Sequence, residues 1–318
     1  MASLLLPLAA GLALLLFGMK TMEFAMERAA GPRLPVILKR VTGTPLRGMA
    51  ASSLLTAIMQ SSTAVTVVTI GLVNAGLMKF SQTLGVILGT NIGTCLTTEL
   101  IGLNLGQLAL PLLLFSAAVW LTAMASAERS PFAAKLGFSG LAAAGFACIL
   151  LGVSLMQGLT PELEARGMFA WLVERSQDSR LWGVLAGAAV TAIIHSSAAT
   201  IAMTMTLVGS GTFPPELGIA VILGANVGTC ATALIASIGG GRYGAYVAWT
   251  HTLLNVAGTA LFYPFLPAMA ELVSHMSTSA SVQMARAQTV FNVLSSLLAL
   301  PLCYILPRLN GKKRMNRP

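Results

Sequence analysis

Apolar residues occupy this chain in long blocks, and in two places a polar cluster sits at the centre of such a block instead of at its edge. Blocks of the length needed to cross a bilayer as helix, about 20 residues, fall near 3–22, 80–100, 108–126, 136–157, 216–238, 243–268 and 285–307. They predict seven spanning helices. The segments 48–78 and 181–212 are equally apolar, but each carries serines and an amide or imidazole at its middle, in TAIMQSSTA from Thr56 and TAIIHSSAA from Thr191. These two are open to two readings: a spanning helix, or a hairpin that enters the membrane and returns. The pattern predicts an all-α polytopic membrane protein.

The two interrupted segments are copies. Aligned at an offset of 135 residues, 56–98 and 191–233 share 19 of 43 positions, and the identities include Ser61, Ser62, Asn91, Gly93, Thr94 and Cys95 with their mates Ser196, Ser197, Asn226, Gly228, Thr229 and Cys230. The opening AGLALLLFGMKTM echoes AGFACILLGVSLM at 144–156, so residues 1–19 are expected to remain as a first helix, not to act as a cleaved leader. The chain divides into a first repeat at 1–126, a second at 136–268, an additional C-terminal helix at 285–307 and a basic tail at 308–318. Three spans separate the two motifs, which predicts repeats of opposite orientation, an inverted-repeat design.

Composition reinforces the membrane reading: 56% of residues are hydrophobic and only 9% charged, against about 25% charged in soluble domains. Charge placement favours hairpins. With both motif segments returning to their side of entry, 15 of the 19 basic residues lie on the side of the C-terminus, leaving Arg166, Arg175, Arg180 and Arg286 opposite. The positive-inside rule then puts the C-terminus in the cytoplasm and the N-terminus outside, with a bacterial inner membrane as the expected location. The segment 22–40 reads as an interfacial stretch. The net charge of +9 does not indicate nucleic acid, since the basic tail GKKRMNRP lacks aromatic partners. No CxxC, HExxH or acidic cluster points to a transition metal. The four cysteines fall inside apolar blocks and read as packing residues.

Hairpin tips would start their second helices with hydroxyls: Ser61, Ser62 and Thr63 in one, Ser196 and Ser197 in the other. Serine and threonine cap helices, and a helix N-terminus attracts anions. Two such ends meeting across a pseudo-twofold axis would form an anion site near the bilayer midplane. No Lys or Arg lies in either segment, so a mobile cation is expected to compensate. Neutral oxygen ligands for sodium are at hand in Gln60, Thr94, Thr229, Asn91 and Asn226. GTNIGT and GANVGT have the composition of a local helix break, or of close helix packing. His251 and Asn255 lie one turn apart and could share a face near the site or simply join helices.

QSST at 60–63, HSSA at 195–198, GTNIGT, GANVGT, LLLFGMKTM, HTLLN (251–255) and QTVFN (288–292) together resemble the type II sodium/phosphate cotransporter family. The resemblance implies inverted repeats and sodium-driven phosphate movement. It matches Gln60, Ser61, Ser62 and Thr63 to a first substrate hairpin and His195, Ser196, Ser197 and Ala198 to a second, with Asn91 and Asn226 as the family's asparagines. His251, Asn255 and Asn292 stand behind as supporting residues. The chain departs where His195 replaces glutamine and Ala198 replaces a hydroxyl, which opens pH-dependent or proton-coupled transport as an alternative. Implied partners are inorganic phosphate, sodium ions and the bilayer, with no cofactor beyond the coupling ion and self-association into a homo-oligomer left open. Two other readings remain: another oxyanion as cargo, and an intramembrane hydrolase pairing Ser61 with His195.

Overall fold

The structure is a computed structural model and describes residues 2–30, 33–126, 130–165, 167, 169–239 and 241–315. Among these residues it is all-α. In chain order the helices are α1 (Ala2–Ala30), α2 (Leu34–Val41), α3 (Pro45–Met59), α4 (Ser62–Asn74), α5 (Phe80–Gly93), α6 (Cys95–Gly102), α7 (Ala109–Met124) and α8 (Pro131–Ala165). There follow α9 (Ala170–Asp178), α10 (Leu181–Ile194), α11 (Ser197–Gly209), α12 (Pro215–Gly228), α13 (Cys230–Ser237), α14 (Arg242–Phe262), α15 (Leu266–Ser274) and α16 (Ala280–Met315).

Seven stretches are long and apolar enough to cross a membrane, and they coincide with the seven predicted blocks: Leu6–Ala29, Phe80–Gly102, Gly106–Met124, Pro131–Leu159, Pro215–Ser237, Arg242–Ser274 and Ala280–Ile305. Their outer faces carry Leu114, Phe115 and Leu253, all well exposed. Leucine and phenylalanine on the outside are what a lipid-facing surface requires, because the solvent there is hydrocarbon.

The ends differ from expectation in two places. Helix α1 continues through MEFAMERAA to Ala30, so only its second half, as α2 with Leu34 and Leu38 buried, forms a separate element of the 22–40 segment. Glu, Met, Ala and Arg are strong helix formers, and nothing stops the helix before Gly31 and Pro32. Helix α16 likewise runs on to Met315, through the start of the expected tail. Arg129, Arg166 and residues 316–318, which entered the charge argument and the tail, lie outside the described residues.

Small residues set the helix pairing. A Cβ built on Gly18 would stand 2.5 Å from the Gly145 carbonyl oxygen, and one on Gly152 would stand 2.7 Å from that of Gly11. Gly11 therefore faces Gly152 while Gly18 faces Gly145, so α1 and α8 run antiparallel in backbone contact. Leu15 and Ile149 between them are fully buried.

Within the repeats the same joints recur 135 residues apart. Gly93 packs on the Ser53 carbonyl and the Thr56 side chain, and Gly228 on the Ala188 carbonyl and the Thr191 side chain. The stretch GTNIGT therefore serves close packing, together with a one-residue interruption at Thr94, whose backbone stays right-handed helical. Helix α16 is packed against α5, α6, α11 and α12. Its Asn292 Nδ2 donates to Cys95 Sγ at 3.4 Å, as Asn255 Nδ2 on α14 donates to the mate Cys230 at 3.2 Å.

Candidate functional site

Both motif segments are broken at the same point and by the same means. Gln60 ends α3 at φ 55°, ψ 22°, and His195 ends α10 at φ 59°, ψ 27°, both in the left-handed region. The next residues, Ser61 and Ser196, are extended and restart the chain as α4 and α11. Each serine caps its helix: Ala64 N–H donates to Ser61 Oγ and Ala199 N–H to Ser196 Oγ, both at 3.2 Å. A left-handed conformation costs a non-glycine residue about 1–2 kcal/mol, and strain of this kind collects at functional sites.

Side chains hold both strained residues. Thr97 Oγ1 donates to Gln60 Oε1 at 2.6 Å, and the Gln60 amide donates to the Ala57 carbonyl. On the other side His195 Nδ1 lies 3.4 Å from Thr232 Oγ1, the mate of Thr97. The histidine thus keeps the partner position of the glutamine it replaces, at longer range. Beyond the break, Thr191 Oγ1 donates to Thr200 Oγ1 at 2.8 Å. Nine residues of unbroken helix would separate them by about 13.5 Å, so α10 and α11 converge on each other and do not continue in line.

The two breaks open on one cavity of about 30 Å³, lined from the first motif by Gln60, Ser62 and Thr63 and from the second by His195, Ser196, Ser197 and Ala198. Thr94, Thr97, Thr229 and Thr232 complete its hydroxyl wall. The volume admits one or two water molecules. Ser62, Thr63, Ser197 and Ala198 are the first residues of α4 and α11, whose N–H groups have no partner within their own helices. Among the described residues the hydroxyls of Ser62 and Ser197 have no hydrogen-bond partner, in contrast to Ser61 and Ser196, which accept from Ala64 and Ala199. Two positive helix ends and several unengaged donors facing one space form an anion-seeking arrangement.

Not every candidate reaches that space. Ser61 is buried as a cap and does not line the cavity. Asn91 and Asn226 stand behind it: Asn91 Nδ2 donates to Asn255 Oδ1 at 2.8 Å, and Asn226 Nδ2 to the Ile222 carbonyl at 2.9 Å. Their own carbonyls accept from Thr94 and Thr229, at 2.8 and 2.6 Å. Asn255 therefore ties the first repeat to the second, through Asn91 and Cys230. Asn292 touches Cys95 and also stands back from the cavity. Ser61 and His195 make no contact with each other among the described residues, each being engaged elsewhere.

Sequence reading missed Met19 and Glu23, which line the cavity from α1. Ser196 Oγ lies 3.6 Å from Met19 Sδ. Glu23 brings a carboxylate to an anion-seeking space, but Lys20 Nζ lies 2.8 Å from it and offsets its charge. Met19 falls within the motif LLLFGMKTM and Glu23 just beyond it, but nothing there indicated the site, since α1 meets the tips only in the folded chain. Thr97 and Thr232 were also missed, although their identity in the two copies was visible.

The profile of the family described as Na+/Pi-cotransporter matches residues 14–158 and 162–298. The uncharacterized protein YqeW of Bacillus subtilis is 34% identical over 300 residues, covering 93% of this chain and 95% of its own. YjbB of Salmonella typhimurium, provisionally named for inorganic phosphate export, is 27% identical over 96% of this chain, which spans 54% of that protein's length. Sodium-dependent phosphate transport protein 2B of Homo sapiens is 31% identical over 100 residues, 30% of this chain and 14% of its own. No solved structure matches. Since that profile extends over nearly the whole sequence and YqeW aligns along almost its full length, the chain belongs to the Na+/Pi-cotransporter family.

Proposed function

We propose that this chain is a secondary transporter of inorganic phosphate, driven by sodium, in which the anion binds between the tips of two re-entrant hairpins. The observation that carries the reading is the meeting of the N-terminal ends of α4 and α11, with Ser62, Thr63 and Ser197, on a single cavity. A tetrahedral oxyanion is matched there by converging N–H and O–H donors, and family membership supports phosphate as that oxyanion. Sodium is the second substrate. The Gln60 amide oxygen, the Thr94, Thr97 and Thr229 hydroxyls and nearby backbone carbonyls are neutral oxygen ligands suited to it, and each ion lowers the cost of burying the other.

Inverted repeats give the motion. Gly11 and Gly18 of α1 align in sequence with Gly145 and Gly152 of α8, yet each faces the other's mate, Gly11 on Gly152 and Gly18 on Gly145. That reciprocal contact is what a twofold axis between antiparallel copies produces. At about 30 Å³ the space between the tips is smaller than a phosphate ion needs, so the tips must part to load it. Opening toward one face and then the other is alternating access. The asymmetry of basic residues supports a cytoplasmic C-terminus. Direction of net flux follows the gradients, so a relative named for export and others named for sodium-dependent transport are compatible with one mechanism.

Reconstitution in liposomes tests the reading. Labelled phosphate should enter under an inward sodium gradient and not under potassium, with Ser62→Ala and Ser197→Ala each abolishing entry at low phosphate. Phosphate flux that ignores sodium removes the coupling, and no phosphate flux under any gradient removes the substrate.

A further inference from the structure

Among the described residues His251 has neither ring nitrogen partnered, although it is 95% buried. It sits on α14 and faces a chamber of about 10 Å³ lined by Ser62, Thr63, Thr66, Val67, Thr229, Thr232 and Ala233. Four of these, Ser62, Thr63, Thr229 and Thr232, also line the tip cavity. The imidazole's chamber and the anion space therefore share these four hydroxyl residues, of which Thr229 already donates to the Asn226 carbonyl.

An unmet imidazole in a dry interior costs free energy, and the chamber is at the lower limit for one water molecule. Hard cations favour oxygen ligands, and one ring nitrogen of a neutral imidazole presents hydrogen outward. A proton needs no volume and uses the free lone pair directly. We propose that His251 is the proton-binding group of this transporter: neutral when the tips are empty, it takes up one proton when an anion occupies them and supplies the positive charge that no lysine or arginine brings to either motif. The proposal rests on the reading of the tips as a phosphate site.

Among the described residues no other titratable side chain lines the chamber itself, while His195 faces the adjoining tip cavity with its Nδ1 3.4 Å from Thr232 Oγ1. Helix α4 offers the chamber only Ser62, Thr63, Thr66 and Val67, and α12 and α13 with the residue between them offer Thr229, Thr232 and Ala233. One turn along α14, Asn255 engages Cys230 of α13 and Asn91 of α5. Glu23 lines the neighbouring cavity paired with Lys20, and Glu99 of α6 is paired with Arg286 of α16. Alone, a buried imidazolium is disfavoured by desolvation, whereas a nearby anion favours it. The proton comes from solvent or from dihydrogen phosphate, whose O–H bond breaks as the ring N–H forms, so charge is conserved in both cases. On α16 the residue in the corresponding place, four before Asn292, is Gln288, which accepts from Thr98 and cannot titrate. Of the two corresponding positions, His251 and Gln288, only the first contributes a proton.

Calorimetric titration of the detergent-solubilised full chain with inorganic phosphate, in buffers of different ionisation enthalpy, reads the protons taken up per phosphate. Phosphate itself titrates near neutral pH, so the informative quantity is the difference between proteins. Wild type should take up more protons than His251→Gln by up to about one, and its affinity should fall relative to that variant by up to about tenfold per pH unit as pH rises. His275→Gln, at the end of α15 and away from the site, should behave as wild type. Equal proton counts with and without His251 overturn the proposal while leaving phosphate binding intact. Failure of wild type to bind phosphate overturns the function itself, and this inference with it. Should His251→Gln not fold, 15N-histidine spectra of the His195→Gln protein decide: one imidazole must pass from neutral to doubly protonated on phosphate addition, and none doing so refutes the idea.

Discussion

Adjacent serines in each motif are assigned different work, and this is the sharpest test of the site. Ser61 Oγ accepts from Ala64 N–H at 3.2 Å, while Ser62 lines the cavity and its hydroxyl has no partner among the described residues. Replacing Ser61 by alanine removes a helix cap, worth about 1 kcal/mol, and lowers the melting temperature by about 2 °C in a chain of this size. Replacing Ser62 removes no internal bond, so stability should stay within about 0.5 kcal/mol of wild type. What it removes is a donor to a charged ligand, worth about 1.5–3 kcal/mol, which corresponds to phosphate binding weakened about 10- to 150-fold. Thermal unfolding in detergent and a phosphate binding isotherm on both variants separate the two effects. Ser61→Ala with unchanged melting and a large affinity loss, or Ser62→Ala with unchanged affinity, would refute the division of labour and with it the placement of the anion at the helix N-termini.

Other outcomes follow from the same contacts. Gly18→Leu puts a side chain against the Gly145 backbone and should prevent recovery of monodisperse protein, while Gly158→Ala, with open space around it, should be recovered normally and melt slightly higher by helix propensity. Thr97→Val leaves Gln60 Oε1 without its 2.6 Å donor and should destabilise the fold by about 1–3 kcal/mol, with the half-saturating sodium concentration for uptake raised. His195→Gln restores an amide opposite Thr232 and should preserve phosphate uptake; loss of uptake would mean that the imidazole does more than hold the break. Arg180→Ala removes two contacts to Glu216 Oε2, at 3.1 and 2.7 Å, that join the starts of α10 and α12. The pair is about a third exposed, so the loss measured by thermal unfolding should stay near or below 1 kcal/mol.

Much of this was readable in advance because it rests on local chemistry. Hydrophobic length sets the spans, and the seven blocks met their helices within a few residues wherever no strong helix former lay beyond the apolar edge. Where MEFAMERAA and the basic end of α16 continued a helix past that edge, hydropathy alone could not see it, since polar residues extend helices as readily as apolar ones. The helix breaks were legible from Ser61 and Ser196, whose capping chemistry favours a new start. The left-handed Gln60 and His195 were not, since neither residue type specifies that conformation.

What the sequence determined by itself was the class of molecule, the duplication and the residue types that would gather at the breaks, because composition, period and capping act within a few residues of chain. Only the tertiary structure decided which of those residues share a space. It set Ser62 and Ser197 into the cavity and Ser61 behind it, drew Asn91 and Asn226 back to join helices, and brought Met19 and Glu23 in from α1. It also left His251, and not the conspicuous His195, buried and unpartnered beside the site. These choices depend on backbone contacts such as Gly18 with Gly145 and on hydrogen bonds such as Asn91 with Asn255, between residues more than a hundred positions apart. No local propensity encodes such contacts, since they exist only after both repeats have folded and closed on one another.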